Sequence, residues 1–248
     1  MLNIRNLTKK FGNKVAVDGV SFAIKPKEIY ALIGPNSSGK TTIVKSIAGI
    51  LRPNGGVIEV GGDNVVEKPM ATKARIGYIP DEPTVWSGMT GEEFLHFSGA
   101  LYGLDPTLRT GRIAELLPVF ALAGLEKEYF ESYSRGNKQK FSILAALLHE
   151  PKLLLIDEPI VGLDPESAEM ARKQFTEFAA KGGAVLLVTH TLPVAEAIAT
   201  SIGLLKNGKL LSTGTLSELR TKAGCGRDAT LEEVYATLTP NLKYKVEP

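Results

Sequence analysis

The sequence predicts an α/β fold that carries an inserted helical segment, and three features of the 248-residue chain support this. Short segments at 29–33, 152–157 and 184–190, each built on a continuous apolar run, are typical of strands buried in a mostly parallel sheet. The first thirty residues instead alternate apolar and polar side chains, as half-buried strands do. Between about residues 83 and 148 the pattern favours helices. The length suits one α/β domain, or one such domain with an inserted subdomain.

The N-terminal part is expected to begin with two half-buried strands, because apolar residues alternate with polar ones within 2–4 and 20–24. A buried strand over Ile29–Ile33 then leads into a glycine-rich loop and a helix that runs to about Gly49. A turn containing proline and glycine precedes the next strand, Val57–Val60.

Local signals predict where the later elements begin. Residues 90–93 and 215–218 each begin with threonine and end with glutamate, the capping-box pattern of a helix start. Asp164-Pro165 supplies a helix cap followed by a proline at the first helical position. Asn207-Gly208 between two apolar segments predicts a β-hairpin. A short helix is expected over Leu231–Leu238.

Composition and charge argue against several classes of protein. The formal net charge is +2 and no run of basic residues stands out, so nothing indicates a nucleic-acid partner. Cys225 is the only cysteine, which excludes an intrachain disulfide and a cysteine-based zinc site and suits a reducing cytoplasm. The N-terminus lacks a signal-peptide pattern, and the longest apolar runs are too short to cross a bilayer. We therefore expect any membrane role to need a partner chain.

The strongest motif is the segment GPNSSGKT at 34–41, which fits the P-loop pattern G-x-x-x-x-G-K-[ST]. The strand before it and the helix after it make a chance glycine-rich turn a poor alternative. In such a loop the backbone N–H groups face phosphates, so Lys40 is expected to neutralise the β- and γ-phosphates and Thr41 to ligate Mg²⁺. The candidate nucleotide-binding residues are Gly34, Pro35, Asn36, Ser37, Ser38, Gly39, Lys40, Thr41 and Thr42, and Lys40 is also a candidate catalytic residue.

Two acidic residues follow the apolar strand that starts at Leu153. Asp157 is a candidate Mg²⁺ ligand, because carboxylates at buried strand ends face the ligand crevice of an open α/β sheet. Glu158 comes directly after it and is a candidate catalytic carboxylate that polarises the attacking water. The alternative for Glu158 is an ordinary surface acid after a strand.

Three further motifs make a family resemblance visible. SRGNKQ at 134–139 lies upstream of the acidic strand end, GLDP at 162–165 lies downstream, and His190 ends the next buried strand. This order resembles the nucleotide-binding domains of ABC (ATP-binding cassette) ATPases over about residues 2–219. The resemblance implies a P-loop NTPase core with a mostly parallel sheet, an antiparallel β subdomain and an α-helical subdomain at about 83–148. It also implies a nucleotide-binding domain at 1–221, followed by a short C-terminal extension at 222–248.

The resemblance also implies roles for individual residues. Phe11 would stack on adenine, although it could instead be a core residue of the first hairpin. Ser134 and Gly136 would contact the γ-phosphate bound by the opposite subunit, and Ser134 alternatively serves only as a helix cap. Asp164 would lie near the dimer interface. His190 would contact the γ-phosphate and the attacking water, unless it is merely satisfied by hydrogen bonds.

Four positions depart from the family pattern, and one of them is Ser37, which stands in the P-loop where glycine is common. Arg135 and Asn137 interrupt the usual LSGGQ signature, in a way that resembles cassettes serving exporter or efflux systems with separate membrane subunits. Asp81 stands where the family normally has a glutamine that touches Mg²⁺ or its water. Because aspartate is one methylene shorter, we expect it to reach Mg²⁺ through a bridging water. The alternative is that Asp81 points to solvent.

The function implied by the resemblance is that of an ATPase subunit that powers a membrane ABC transporter of the exporter type. Two copies would sandwich two Mg-ATP molecules, and a polytopic membrane subunit would be a separate chain. The protein would be cytoplasmic and peripheral at the inner face of the cell membrane. A non-transport ABC ATPase of DNA repair or the ribosome is the alternative, although this sequence shows neither the coiled-coil insertion nor the tandem cassettes usual there. An unrelated P-loop kinase or GTPase would not explain the signature, Glu158 and His190 together.

Overall fold

The computed structural model describes residues 1–83, 88–158 and 163–239. The strands in these ranges are β1 (Leu2–Phe11), β2 (Lys14–Ile24), β3 (Ile29–Ile33), β4 (Gly55–Val60), β5 (Asp63–Asn64), β6 (Ile76–Ile79), β7 (Leu153–Asp157), β8 (Ala184–Thr189), β9 (Ser201–Lys206) and β10 (Lys209–Gly214). The helices are α1 (Lys40–Ile47), α2 (Pro69–Lys73), α3 (Gly91–Leu101), α4 (Pro106–Val119), α5 (Arg135–Leu147), α6 (Pro165–Ala180), α7 (Leu192–Ile198), α8 (Leu216–Ala223) and α9 (Leu231–Leu238).

The larger sheet has six strands in the order β10-β9-β3-β8-β7-β6. The pairs β9–β3, β3–β8, β8–β7 and β7–β6 are parallel, and only β10 runs antiparallel to its neighbour in this sheet. All residues of β3, β7 and β8 are buried, which explains their continuously apolar sequences. Because the strands are parallel, the loops after β3, β6, β7 and β8 meet at one edge of the sheet.

The smaller sheet is antiparallel, with the order β2-β1-β4-β5. Its alternating residues, such as Leu2 and Ile4 of β1 and Val20 of β2, turn inward and share one core with α1 and one face of the parallel sheet. Ile43 and Ile47 of α1 are fully buried in that core. The helix that follows the glycine-rich loop is therefore held between the two sheets, as the fold class predicts.

A helical layer made of α3, α4 and α5 covers the opposite face of the parallel sheet. Phe130 lies at its centre and packs edge to face against Phe94 at 5.0 Å and Phe141 at 5.3 Å. The same core includes Leu154 and Leu187 from the sheet. In the described part of 83–148 this layer provides the predicted helices, and the pairing of Thr90 with Tyr129 there is an isolated bridge. The bounds of the helical subdomain stay a prediction. Residues 84–87 lie outside the described ranges.

Local signals position several helices as the sequence predicts. The Thr90 and Thr215 side chains each accept a hydrogen bond from the backbone N–H of the glutamate three residues later, and that glutamate accepts one in return. Asp164 caps α6, with Pro165 at its first position. Asn207 and Gly208 both adopt positive φ, of 49° and 77°, which is the backbone of a tight hairpin turn.

The C-terminal helices complete a third core. Leu219 of α8 and Leu231, Val234 and Tyr235 of α9 pack with Leu192 and with the outer face of β3. Helix α9 lies within the predicted extension 222–248, of which residues 240–248 are outside the described ranges. The division at residue 221 stays a prediction. In the described ranges, no helix has both the length and the apolar character needed to cross a membrane.

Candidate functional site

The loop between β3 and α1 is shaped by close backbone approaches. A Cβ atom on Gly34 would lie 2.2 Å from the Leu205 carbonyl oxygen, and one on Gly39 would lie 2.5 Å from that of Ala16. Gly39 also has a φ of 109°, which side chains rarely adopt. Ser37 has a φ of 64°, and this left-handed conformation explains why glycine is common at its position in the family it resembles. The shape of the loop therefore requires glycine at positions 34 and 39.

Lys40 lies at the centre of this loop and is only 6% exposed. Its Nζ donates hydrogen bonds to the carbonyl oxygens of Gly34 at 2.7 Å and Pro35 at 3.1 Å. Burial lowers the pKa of the Lys40 ammonium, while the charges of Glu158 and Asp157 oppose that shift. The loop thus holds a buried cation whose present partners are neutral carbonyl groups.

Thr41 and Asp157 bring two oxygen ligands together at the ends of α1 and β7. The Thr41 hydroxyl donates to Asp157 Oδ1 at 3.4 Å. Burial raises the pKa of Asp157, the charges of Glu158 and Asp81 add to the shift, and the hydrogen bond from Thr41 opposes it. A cation bound beside Asp157 would stabilise the charged form of its carboxylate and so oppose this rise in pKa.

Glu158 is held by two residues, Thr189 at the end of β8 and His190 directly after it. Its Oε2 accepts a hydrogen bond from the Thr189 hydroxyl at 2.9 Å, and its Oε1 accepts one from the His190 backbone N–H at 2.9 Å. The same Oε1 lies 2.7 Å from the ring Nδ1 of His190. Glu158 also has a φ of 53°, an uncommon conformation for glutamate that is often found at functional sites. Two of the three candidate catalytic residues, Glu158 and His190, are therefore in direct contact.

These groups line one pocket of about 760 Å³ at the carboxyl edge of the parallel sheet. The predicted residues that line it are Phe11, Asn36, Ser37, Ser38, Gly39, Lys40, Thr41, Thr42, Asp81, Asp157, Glu158 and His190. Sequence reasoning missed Lys14, Val15, Ala16, Arg135, Asn207 and Gly208 as lining residues. It also missed Thr189 as a partner of Glu158, although this threonine directly precedes the histidine that the motif singled out.

Phe11 lies at the rim of the pocket and is 48% exposed. It is therefore not a core residue of the first hairpin. The Lys9 ammonium lies over its ring, 5.1 Å from the centroid, and also donates to the Arg52 carbonyl oxygen at 2.8 Å. The ring is accessible to a ligand in the pocket.

Five predicted site residues, Gly34, Pro35, Ser134, Gly136 and Asp164, are not among the described residues that line the pocket. The carbonyl oxygens of Gly34 and Pro35 instead accept hydrogen bonds from Lys40. Ser134, Gly136 and Asp164 are expected at the partner's nucleotide or at the interface, and that role stays a prediction. The Ser134 hydroxyl caps α5 by accepting from the Asn137 N–H at 3.2 Å. Asp164 accepts from the Ser167 N–H and hydroxyl, and these hydrogen bonds lower the pKa of its carboxyl. Gly162 lies outside the described ranges.

Asp81 follows β6 and lies at the side of the pocket that faces α5. Its Oδ1 is 3.8 Å from Nη2 of Arg135, and both side chains are about half exposed. Asp81 also lines a neighbouring groove of about 610 Å³, together with Thr41 and Asp157. It is thus at the boundary between two cavities, close to the oxygen ligands described above.

The donors and acceptors in the pocket fit a nucleotide with its magnesium ion. The Ser38 hydroxyl is buried and has no hydrogen-bond partner in the described part of the chain. Within the same ranges, no three His, Cys, Asp or Glu side chains are grouped as a metal site. Mg²⁺ is usually held by one or two carboxylates together with waters and phosphate oxygens, so Asp157 with the Thr41 hydroxyl is a suitable protein contribution.

Comparison with known proteins finds ATP-binding proteins of ABC transporters among the relatives of this chain. The family model described as "ABC transporter" matches residues 17–161. The ABC-type transporter ATP-binding protein EcsA of Bacillus subtilis is 36% identical over 239 residues, which cover 96% of each chain. The linearmycin resistance ATP-binding protein LnrL of Bacillus subtilis is 34% identical over 90% of this chain and 72% of that protein. The daunorubicin resistance ATP-binding protein DrrA3 of Streptomyces coeruleorubidus is 32% identical over 94% of this chain and 74% of that protein.

Solved structures share the fold. An ATP-binding subunit of an ABC transporter superposes with a TM-score of 0.91 at 34% identity, over 96% of this chain and 99% of that one. A dimeric ATP-binding cassette bound to ADP and Pi superposes with a TM-score of 0.80 over 87% of this chain and 99% of that one. At 24% identity, this second likeness concerns the fold alone.

Proposed function

The chain belongs to the ABC transporter family and is an ATPase, and we propose that two copies of it sandwich two Mg-ATP molecules. Hydrolysis then drives a separate membrane subunit that exports its substrate. The relatives support a transporter over a non-transport ATPase of DNA repair or the ribosome. The names of LnrL and DrrA3 refer to resistance to linearmycin and daunorubicin, and powering an exporter is one direct way to confer resistance.

One observation carries the proposal: Lys40, Thr41, Asp157, Glu158 and His190 line the same pocket at one edge of the sheet. They come from three separate loops, and their chemistry is complementary. A buried cation, two hard oxygen ligands and a carboxylate bonded to a histidine are the groups that hydrolysis of a phosphate anhydride requires.

In this mechanism Lys40 leaves the carbonyl groups of its own loop and binds the β- and γ-phosphates. Thr41 and Asp157 would hold Mg²⁺, which would neutralise charge on the phosphates. Glu158 accepts a proton from the attacking water, and His190 keeps the carboxylate oriented while its ring reaches the γ-phosphate. Asp81 would assist Asp157 through a bridging water.

The signature residues act on the partner's nucleotide. Support comes from the position of Ser134 and Gly136, which are at the start of α5 and outside the lining of the chain's own pocket. The N-terminus of a helix of this length is a good site for a phosphate from a second subunit. Asp164, at the start of α6, lies near the same interface.

The membrane subunit docks at the groove formed by α1, β6, α3 and α5. This groove is lined by apolar side chains such as Ile50 and Tyr102, and it shares Thr41, Asp81 and Asp157 with the nucleotide pocket. A segment seated there would sense whether nucleotide is bound. Docking would make the protein peripheral at the inner face of the cell membrane. Co-purification of a polytopic membrane protein encoded beside this chain, and loss of that complex on Tyr102→Arg, would test this assignment.

Phe11→Ala is expected to weaken ATP binding about tenfold, since stacking of a base on an aromatic ring is worth roughly 1–3 kcal/mol. Phe11→Tyr should retain most of the affinity. Inorganic tripolyphosphate, which has no base, should bind the wild type and Phe11→Ala equally well in a competition titration. If Phe11→Ala weakens both ligands to the same extent, Phe11 is not the adenine platform.

Mixing two inactive variants tests the two-subunit arrangement. In a dimer of Ser134→Arg with Lys40→Ala, one site carries both lesions and the other carries neither. An equimolar mixture should therefore regain about a quarter of wild-type turnover, because random pairing makes half of the dimers mixed. Either variant alone should be inactive. Subunit exchange is verified first with differently tagged chains. If exchange occurs and no mixing ratio restores phosphate release, Ser134 does not act across the interface.

A further inference from the structure

Two unusual residues of this chain lie side by side. Asp81 follows β6 and Arg135 is the first residue of α5, and their charged groups are 3.8 Å apart. Both line the pocket that contains the P-loop. Each departs from the pattern of the family at its own position, and the structure places the two opposite charges together.

A second contact holds the same two segments in register. Gln139, one turn further along α5, is 3% exposed and donates from Nε2 to the Pro80 carbonyl oxygen at 3.4 Å. Pro80 directly precedes Asp81, so this bond ties the backbone before Asp81 to the helix that carries Arg135. This hydrogen bond of the buried Gln139 thus helps to keep Asp81 and Arg135 close together.

The start of α5 is an unfavourable place for a cation. The first turn of a helix carries partial positive charge, which repels a guanidinium group and attracts a carboxylate. Asp81 offsets this repulsion, because its carboxylate lies 3.8 Å from the guanidinium. The side chains are 55% and 52% exposed, so the pair contributes little to the stability of the fold.

The charge on the pocket walls suggests what the pair does. Asp81, Asp157 and Glu158 place three carboxylates around a site that receives a polyanion, and Lys40 is the buried cation among them. Like charges would repel the phosphates in the absence of metal. Arg135 adds a cation to the same wall, but a long exposed side chain stays there only if something holds it.

We propose that Arg135 is an additional nucleotide-binding residue of its own subunit and that Asp81 is the positioning residue that holds its guanidinium over the pocket. Arg135 thereby strengthens the binding of metal-free nucleotide by the chain that carries it, while its neighbours Ser134 and Gly136 serve the partner's site. This inference rests on the proposed function, since it takes the P-loop pocket as the nucleotide site.

The test is a double-substitution cycle read by titrating a fluorescent ATP analogue in EDTA. Arg135→Ala is expected to weaken binding about two- to fivefold, the range for exposed charge pairs. In an Asp81→Ala background the same substitution should change affinity by much less, because the side chain has already lost its anchor. Arg135→Lys keeps the charge but changes the head group, so its affinity should lie between those of the wild type and Arg135→Ala.

Lys14 provides a matched control, since it also lines the pocket. Lys14→Ala should have the same effect in both backgrounds. The proposal is overturned if Arg135→Ala weakens binding of the analogue equally in the wild-type and Asp81→Ala backgrounds. It is also overturned if Arg135→Ala weakens binding in neither background. Lys40→Ala is titrated in parallel: if it binds the analogue as well as wild type does, the nucleotide site itself is misassigned. If Lys40→Ala loses binding and the cycle shows no coupling, only the Arg135 inference fails.

Discussion

Lys40→Ala is expected to reduce affinity for ATP by two to three orders of magnitude. The side chain is buried, and its ammonium sits where phosphate oxygens would replace the carbonyl groups of Gly34 and Pro35. Removing one partner of a buried charge pair typically costs about 3–5 kcal/mol, and about 1.4 kcal/mol corresponds to a factor of ten in affinity. Removing the cation also leaves Asp157 and Glu158 uncompensated beside the incoming phosphates.

The measurement is a titration of fluorescent ATP analogue into wild type, Lys40→Ala and a control variant, with thermal unfolding of each. Lys173→Ala on α6 is a suitable control, because this side chain is 70% exposed and its ammonium lies as far as 4.0 Å from the Glu177 carboxylate. It should bind as the wild type does. An unchanged affinity for Lys40→Ala in a folded protein would show that the pocket around α1 is not the phosphate site.

Glu158→Gln is expected to abolish turnover while ATP remains bound. Glutamine has the same size and can still accept the hydrogen bond from the His190 backbone N–H, but it is too weak a base to take a proton from water. Loss of a general base costs about 10²- to 10⁴-fold in rate. Since hydrolysis separates the sandwich in the proposed mechanism, the variant should accumulate as an ATP-bound dimer.

Phosphate release and sizing chromatography with Mg-ATP measure the two effects separately. Glu150→Gln is a matched control: Glu150 has a φ of 51°, close to the 53° of Glu158, and its partner Arg112 is away from the pocket. It should hydrolyse ATP at the wild-type rate and remain in the wild-type monomer–dimer distribution. Hydrolysis by Glu158→Gln at the wild-type rate would assign the catalytic base to another residue.

Elements with strong local signals were predicted well from the sequence. Strand β3 and helix α9 have the predicted bounds, because continuous apolar burial and helical spacing are properties of a short segment alone. The hairpin at Asn207-Gly208 and the caps at Thr90 and Thr215 likewise depend on neighbours within a few residues.

Short elements without such signals were not predicted. Strand β6 has four residues, one of them Gly77, where a Cβ would lie 2.4 Å from the Ala146 carbonyl oxygen of α5. Helices α2 and α7 have five and seven residues. Segments of this length have little intrinsic preference, so packing against the rest of the chain decides their conformation.

The sequence by itself determined the α/β class, the P-loop from Gly34 to Thr42, and the acidic pair Asp157 and Glu158, because these are contiguous motifs whose shape and chemistry are local. Only the tertiary structure decided which distant groups share the pocket. The Glu158–His190 contact and the Asp81–Arg135 pair each join separate loops, and the wall formed by Lys14–Ala16 depends on how β2 meets the P-loop. Such contacts follow from the order of strands in the sheet, which brings loops far apart in the chain to one edge.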